Sequence, residues 1–178
     1  FFKGCNMRCP WCQNPESLRP EPEIAFYPRK CVLCGNCEKV CPKKAIRLDS
    51  KKRVIRERCN ACGVCANACP SDALKVVGKY YTPKELLDVV LRDKVFFETS
   101  NGGVTLSGGE PLLQSKFVVG FAKLARSKGL HLAVETAGNI EPKLFRKCSE
   151  EFDLTLYDLK VFDNRTHRRL TGTGNERI

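Results

Sequence analysis

The sequence has 178 residues, is 42% hydrophobic and carries a formal net charge of +11. That length supports one medium core with a small satellite module, and no run approaches the roughly 18 consecutive apolar residues of a spanning helix. No charged segment followed by a long apolar one marks the N-terminus, so a soluble, cytoplasmic protein without a membrane partner is expected.

The chain opens at Phe1 rather than a methionine and reads as a piece cut at both ends. Residues 1–20 read as a strand end running into a metal loop. Glu21–Pro28 carries two prolines and reads as a linker into an inserted segment. The insert, expected over residues 28–77, is an internal repeat: Cys31, Cys34, Cys37 and Cys41-Pro42 recur 28 residues later as Cys59, Cys62, Cys65 and Cys69-Pro70. A repeat that keeps four cysteines, a glycine and a proline indicates two copies of one structural unit.

Beyond residue 78 strands and helices alternate. Thr82-Pro83 starts a helix with apolar Leu86, Leu87, Val90 and Leu91, and Gly103–Leu106 is a short strand. A helix through Phe117, Phe121 and Leu124 follows, then a strand at Leu130–Glu135, a helix at Pro142–Cys148 and a strand at Leu154–Leu159. Such alternation predicts parallel βα units, an α/β fold in which residues 1–27 and 78–178 form one domain of about four strands. In parallel sheets the chemistry sits at the C-terminal strand ends.

Eleven of the twelve cysteines lie between Cys5 and Cys69 at separations of mostly two or three residues. Neighbours that close project into one small volume, which favours metal clusters over a disulfide framework. Cys5, Cys9 and Cys12 supply three thiolates. A [4Fe–4S] cube held by three cysteines leaves one iron open to a small molecule, whereas a zinc site needs a fourth nearby ligand, and His131 and His167, the only histidines, are remote in sequence. In the repeat, the bacterial spacing sends the fourth cysteine to the other cluster: Cys31, Cys34, Cys37 and Cys69 hold one, and Cys59, Cys62, Cys65 and Cys41 the other. Cys148 fits neither pattern and reads as a buried free thiol.

Eleven cluster thiolates remove about five positive charges and leave about +6. Aromatic residues are not interleaved with the basic ones, so nucleic acid is not the expected partner and a basic surface that docks an acidic protein is.

The run Phe2-Lys3-Gly4-Cys5-Asn6-Met7-Arg8-Cys9-Pro10-Trp11-Cys12 resembles the signature of radical S-adenosylmethionine (SAM) enzymes, specifically the glycyl-radical-enzyme activating enzymes related to pyruvate formate-lyase activating enzyme. Ser107-Gly108-Gly109-Glu110-Pro111, Glu135-Thr136-Ala137-Gly138 and Asp158-Leu159-Lys160 are similar to that family's later motifs, in the same order. The insert resembles that of the branch acting on glycerol or diol dehydratase, choline lyase and arylacetate decarboxylase type enzymes. The resemblance implies a partial TIM-like barrel with an inserted two-cluster ferredoxin module, three [4Fe–4S] clusters and SAM.

The implied activity is an oxidoreductase reaction: reductive cleavage of SAM to a 5′-deoxyadenosyl radical, which abstracts hydrogen from a backbone glycine of a partner glycyl radical enzyme. A flavodoxin- or ferredoxin-type protein would donate the electron under anaerobic conditions. Carried over by position, Cys5, Cys9, Cys12 and Lys160 are the catalytic residues. Trp11 lies near the adenosine, with core packing as its alternative. Gly108, Gly109 and Glu110 hold the SAM amino group, Glu135, Thr136 and Asp158 form a monovalent-cation site beside the SAM carboxylate, and Lys160 neutralises that carboxylate. The alternatives are a radical SAM enzyme acting on another peptide or small molecule, and a non-enzymatic ferredoxin-type electron carrier.

Overall fold

The computed structural model describes residues 1–178 and divides into two compact units, Glu21–Lys79 on one side and Phe1–Pro20 with Tyr80–Ile178 on the other.

In the smaller unit, strand β1 (Glu23–Phe26) is followed by helices α1 (Asn36–Lys39) and α2 (Val64–Asn67) and by strand β2 (Leu74–Val77). β1 and β2 pair antiparallel, with Glu23 opposite Val77 and Phe26 opposite Leu74. This corrects the reading of Glu21–Pro28 as a linker. Pro22 and Pro28 flank the strand rather than interrupt it, so every residue between them keeps its N–H for the ladder. The unit therefore reaches back to Glu21 rather than starting at residue 28. Its core is Ile24, Ile46, Val54 and Leu74, with the thiols of Cys37 and Cys65.

The 28-residue repeat extends to the backbone. Leu33 and Ala61 adopt φ of 57° and 53°, Lys44 and Asp72 adopt 46° and 52°, and Gly35 and Gly63 start α1 and α2 at 79° and 83°. Such left-handed conformations are costly for residues with a Cβ, and their recurrence at matching positions indicates one turn geometry used twice.

The larger unit contains α3 (Pro83–Val90), α4 (Lys94–Ser100), β3 (Gly103–Leu106), α5 (Ser115–Arg126), β4 (His131–Thr136), α6 (Pro142–Ser149), β5 (Leu154–Tyr157) and α7 (Asn164–Thr171). β3, β4 and β5 form a parallel sheet in that order. Of the about four strands expected, three are present, and the N-terminal one is reduced to a single parallel bridge between Phe2 and Gly108. Helix α3 begins with a reciprocal cap in which Thr82 accepts from the Glu85 N–H and Glu85 accepts from the Thr82 N–H.

Helix α5 buries Val118, Phe121, Ala122 and Ala125, spaced i, i+3, i+4 and i+7, against Leu106, Leu132 and Val134 of the sheet. This face differs from the expected Phe117, Phe121 and Leu124 stripe: Phe117 is partly buried at the rim and Leu124 is exposed. The small Ala122 and Ala125 let the helix lie close to the sheet. Cys148 is fully buried in the same core. No helix is long and apolar enough to cross a membrane.

Candidate functional site

The three parallel strands end side by side, Leu106 pairing in register with Val134 and Thr136 with Tyr157. Their C-terminal extensions, Ser107–Glu110, Ala137–Asn139 and Asp158–Lys160, therefore leave the sheet at one edge. The Cys5–Cys12 loop joins them there. A cavity of about 760 Å³ is lined by Cys5, Cys9 and Cys12, by Gly108 and Gly109, and by Glu135, Thr136, Asp158 and Lys160.

The loop is held mainly by backbone contacts. Phe2 donates to the Ser107 carbonyl at 2.6 Å, Gly109 to Phe2 at 2.8 Å and Glu110 to Gly4 at 2.7 Å. Gly4 and Cys5 donate in turn to Ser17 and Leu18. A Cβ on Gly109 would collide with the Gly4 carbonyl, and one on Gly108, whose φ is +111°, would meet the backbone of Phe2. The two glycines thus let this turn lie directly on the segment that carries the cysteines.

Glu110 differs from its sequence expectation. It is 1% exposed, lies beneath the cavity and does not line it. Its carboxylate accepts from Thr136 Oγ1 at 2.8 Å, from the Ala137 N–H at 3.0 Å and from the Leu112 N–H at 3.2 Å. Burial raises its pKa above the ordinary carboxylate value, opposed by those three hydrogen bonds. Glu110 fastens the turn after β3 to the turn after β4.

Three groups expected to share a cation are each engaged otherwise. Thr136 is buried and its hydroxyl donates to Glu110, Glu135 accepts from the Ser107 hydroxyl, and Asp158 is paired with Lys160. All three nonetheless line the same cavity. Lys160 lines the cavity; burial disfavours its ammonium, but Asp158 and the sulfur groups of Cys9 and Cys5 outweigh that and raise its pKa. Trp11 is 47% exposed and lines the cavity, so it is not a core residue.

Several supporting residues escaped the sequence reading. Asn6 donates to the Asn139 carbonyl at 2.6 Å, Arg8 to the Thr171 carbonyl at 2.7 Å, and Asn139 reaches Thr173 Oγ1 at 3.3 Å. The buried His167 places Nδ1 2.7 Å from the Thr173 carbonyl, which puts a proton on that nitrogen. The closely spaced glycines in Thr171-Gly172-Thr173-Gly174 were the available signal for this second anchor.

In the smaller unit one small cavity is lined by Cys31, Cys34, Cys37 and Cys69, and another by Cys41, Cys59, Cys62 and Cys65. All twelve cysteines are free. No three His, Cys, Asp or Glu side chains gather as a single ion requires; a cubane, whose irons occupy separate corners, takes sulfurs set farther apart. Backbone N–H groups point at the sulfurs: Ala45 at Cys41 and Ala73 at Cys69, each 3.2 Å, and Ala61 at Cys59 and Met7 at Cys5, each 3.4 Å. A thiol accepts hydrogen bonds weakly and a thiolate strongly, so these donors fit sulfur ligands of iron–sulfur clusters. Without metal, burial pushes the Cys65 thiol up to about 11.

The sequence matches the radical SAM superfamily over residues 1–178. It is 39% identical over 180 residues to trans-4-hydroxy-L-proline dehydratase activating enzyme of Clostridioides difficile, covering 100% of this chain and 60% of that one. It is 41% identical over 182 residues to choline trimethylamine-lyase activating enzyme of Oleidesulfovibrio alaskensis, covering 100% and 59%. Against benzylsuccinate synthase activating enzyme of Thauera aromatica it is 41% identical over 179 residues, covering 97% and 54%. The chain thus spans 54 to 60% of the length of these three relatives.

Proposed function

The chain belongs to the radical SAM superfamily, and from that premise we propose that it is the SAM-cleaving part of an activating enzyme for a glycyl radical enzyme. The superfamily implies a [4Fe–4S] cluster and SAM. The observation that carries the reading is the convergence of Cys5, Cys9 and Cys12 with three strand-end turns on one cavity. When bound, the cluster would supply the one electron needed to split SAM into methionine and a 5′-deoxyadenosyl radical able to take a hydrogen atom from a backbone glycine.

The protein's own contribution is placement and charge. Cys5, Cys9 and Cys12 would hold the cluster, three thiolates facing one cavity. Gly108 and Gly109 offer backbone to the SAM amino group, Lys160 offers positive charge to its carboxylate, and Trp11 offers an aromatic face to the adenosine. Glu110 fastens Thr136 and Ala137. We read the parallel sheet as part of a (β/α) barrel and Glu21–Lys79 as a ferredoxin module with two further [4Fe–4S] clusters, on Cys31, Cys34, Cys37 and Cys69 and on Cys41, Cys59, Cys62 and Cys65. The barrel reading is supported by the parallel order of β3, β4 and β5 with helices between them, and the ferredoxin reading by the grouping of the thiols and the N–H donors aimed at them. The partner is a glycyl radical enzyme of the kind the relatives' names describe, and the donor a flavodoxin- or ferredoxin-type protein.

The test uses the full-length protein, reconstituted anaerobically and reduced. Methionine and 5′-deoxyadenosine should form from SAM, and SAM should change the EPR signal of the cluster on Cys5, Cys9 and Cys12 alone. No cleavage, or equal perturbation of every cluster, overturns the reading.

A further inference from the structure

Arg53 is 6% exposed, and a guanidinium that deep is destabilising unless negative charge faces it. Its partners are a carbonyl, an aromatic face and a sulfur. Nη1 donates to the Arg47 carbonyl at 3.1 Å, the guanidinium lies 5.0 Å from the Phe26 ring centroid, and Nη2 is 3.9 Å from Cys31 Sγ. Nε is buried with no hydrogen-bond partner. The side chain lines the cavity of Cys31, Cys34, Cys37 and Cys69.

The repeat shows what is unusual about this placement. Ile46 bridges Val54 as Leu74 pairs with Phe26, so the 28-residue shift that relates the two sites carries Arg53 onto Ala25. The cavity of Cys41, Cys59, Cys62 and Cys65 has no buried cation; its one charged neighbour, Lys43, is exposed. Two sites of matching backbone thus differ in their cations, a buried one at Arg53 with Ser71 beside Cys69 in the first and an exposed one at Lys43, the repeat equivalent of Ser71, in the second.

We propose that Arg53 separates the two clusters of this unit in reduction potential, making the one on Cys31, Cys34, Cys37 and Cys69 the easier to reduce. The proposal rests on the reading that the unit holds two [4Fe–4S] clusters. Reduction makes a cluster more negative by one charge, and both a nearby cation and N–H donors to sulfur favour that form. An electron on the Cys41, Cys59, Cys62 and Cys65 cluster passes to its neighbour, oxidising the first and reducing the second, with no proton or third reagent involved.

The test is an EPR-monitored redox titration of the full-length reconstituted protein, with iron and sulfide counted beforehand. Cys34→Ser and Cys62→Ser assign the signals. In the wild type the Cys31-containing cluster should have the higher midpoint, by at least about tenfold in reduction equilibrium, or about 59 mV for one electron. Arg53→Met should lower that midpoint toward its neighbour's and leave the other clusters unmoved, while Arg53→Lys keeps most of the separation. Equal midpoints in the wild type, the reverse order, or an unmoved midpoint in Arg53→Met with iron retained would overturn the proposal. If Arg53→Met loses iron, the wild-type order decides. About four iron in the wild type, instead of about twelve, removes the two-cluster reading and the proposal with it; about twelve with unmoved midpoints refutes the role of Arg53 alone.

Discussion

The two units hold their cysteines by opposite means. In the larger, the Cys5–Cys12 loop takes its shape from chain more than 100 residues away: Gly109 and Glu110 bond to Phe2 and Gly4, Asn139 receives Asn6 and Thr171 receives Arg8. In the smaller, three thiols of each set are shaped by local turns, with left-handed residues at Leu33 and Ala61 and glycines opening α1 and α2, and only the fourth, Cys69 or Cys41, comes from the other half of the repeat. Seating by distant chain fixes the cysteines relative to the strand ends, which a site that must orient a second molecule requires. Seating by local turns is modular and can be duplicated. Substitutions should therefore propagate in the first unit and stay local in the second.

The largest effect tests whether the two seats are separate. Replacing Cys5, Cys9 and Cys12 together by Ala should remove about four of about twelve iron and sulfide from the reconstituted full-length protein and abolish SAM cleavage. Iron and sulfide analysis reads this directly. A loss near eight, or none, would show that the seats are not independent.

Next comes Gly109→Ala. Its Cβ would run into the Gly4 carbonyl, and both partners are backbone, so the Phe2–Cys5 segment has to move. Overpacking with backbone displacement destabilises by about 1–3 kcal/mol or more. The shift should also disturb the cluster loop, seen as a changed EPR signal of that cluster in the presence of SAM. A variant of wild-type stability and spectrum would remove the claim that this turn seats the loop.

How much of this was legible in the sequence follows the same division. That Cys31, Cys34 and Cys37, and likewise Cys59, Cys62 and Cys65, share one small volume is legible because they are close along the chain, and the Thr82-Pro83 helix start because a cap is local. Ser107–Pro111 was recognised as a site turn, but the work of Gly108 and Gly109 was not, since the backbone they press against belongs to Phe2 and Gly4. Glu23–Phe26 reads as a linker in the sequence because its partner strand lies some fifty residues on, and two prolines read locally as loop. The glycines beside Thr171 mark a turn there, but neither they nor the surroundings of Asn139 tell that Asn139 receives Asn6 and Thr171 receives Arg8, each more than 130 residues away.

Glu110→Gln sharpens the contrast further. The carboxylate accepts from three donors, and an amide in its place would set an NH2 group against one of them, leaving buried donors unpaired at a cost of about 1–3 kcal/mol. A solvated residue would give about 0.5 kcal/mol or less. Burial raises the folded-state pKa of Glu110, so its contribution to stability is fully present below the unfolded-state value and lost as pH rises through the folded-state value. Gln has no such dependence. Denaturant unfolding should show a deficit for the variant that is widest below the ordinary carboxylate value, about pH 4, and narrows as pH rises through the higher folded-state value. A pH-independent gap would mean the carboxylate is not in the buried setting described.

The smallest effects belong to the local turns. Gly35 and Gly63 occupy φ of 79° and 83°, a conformation that asparagine enters more readily than other residues with a Cβ. At Gly35 the nearest atom to a new Cβ is Leu48 Cδ1 at 3.4 Å, ordinary contact, whereas at Gly63 it is Val76 Cγ2 at 3.2 Å, which has to give way slightly. Gly35→Asn should therefore cost about 1 kcal/mol or less and Gly63→Asn slightly more, with iron content kept in both. Neither neighbour is backbone, so no displacement should spread as it does from Gly109. Thermal unfolding of the two variants, with iron content matched, measures the difference. A loss from Gly35→Asn as large as that from Gly109→Ala would show that the smaller unit is not shaped locally, and the distinction between the two ways of seating cysteines would fall.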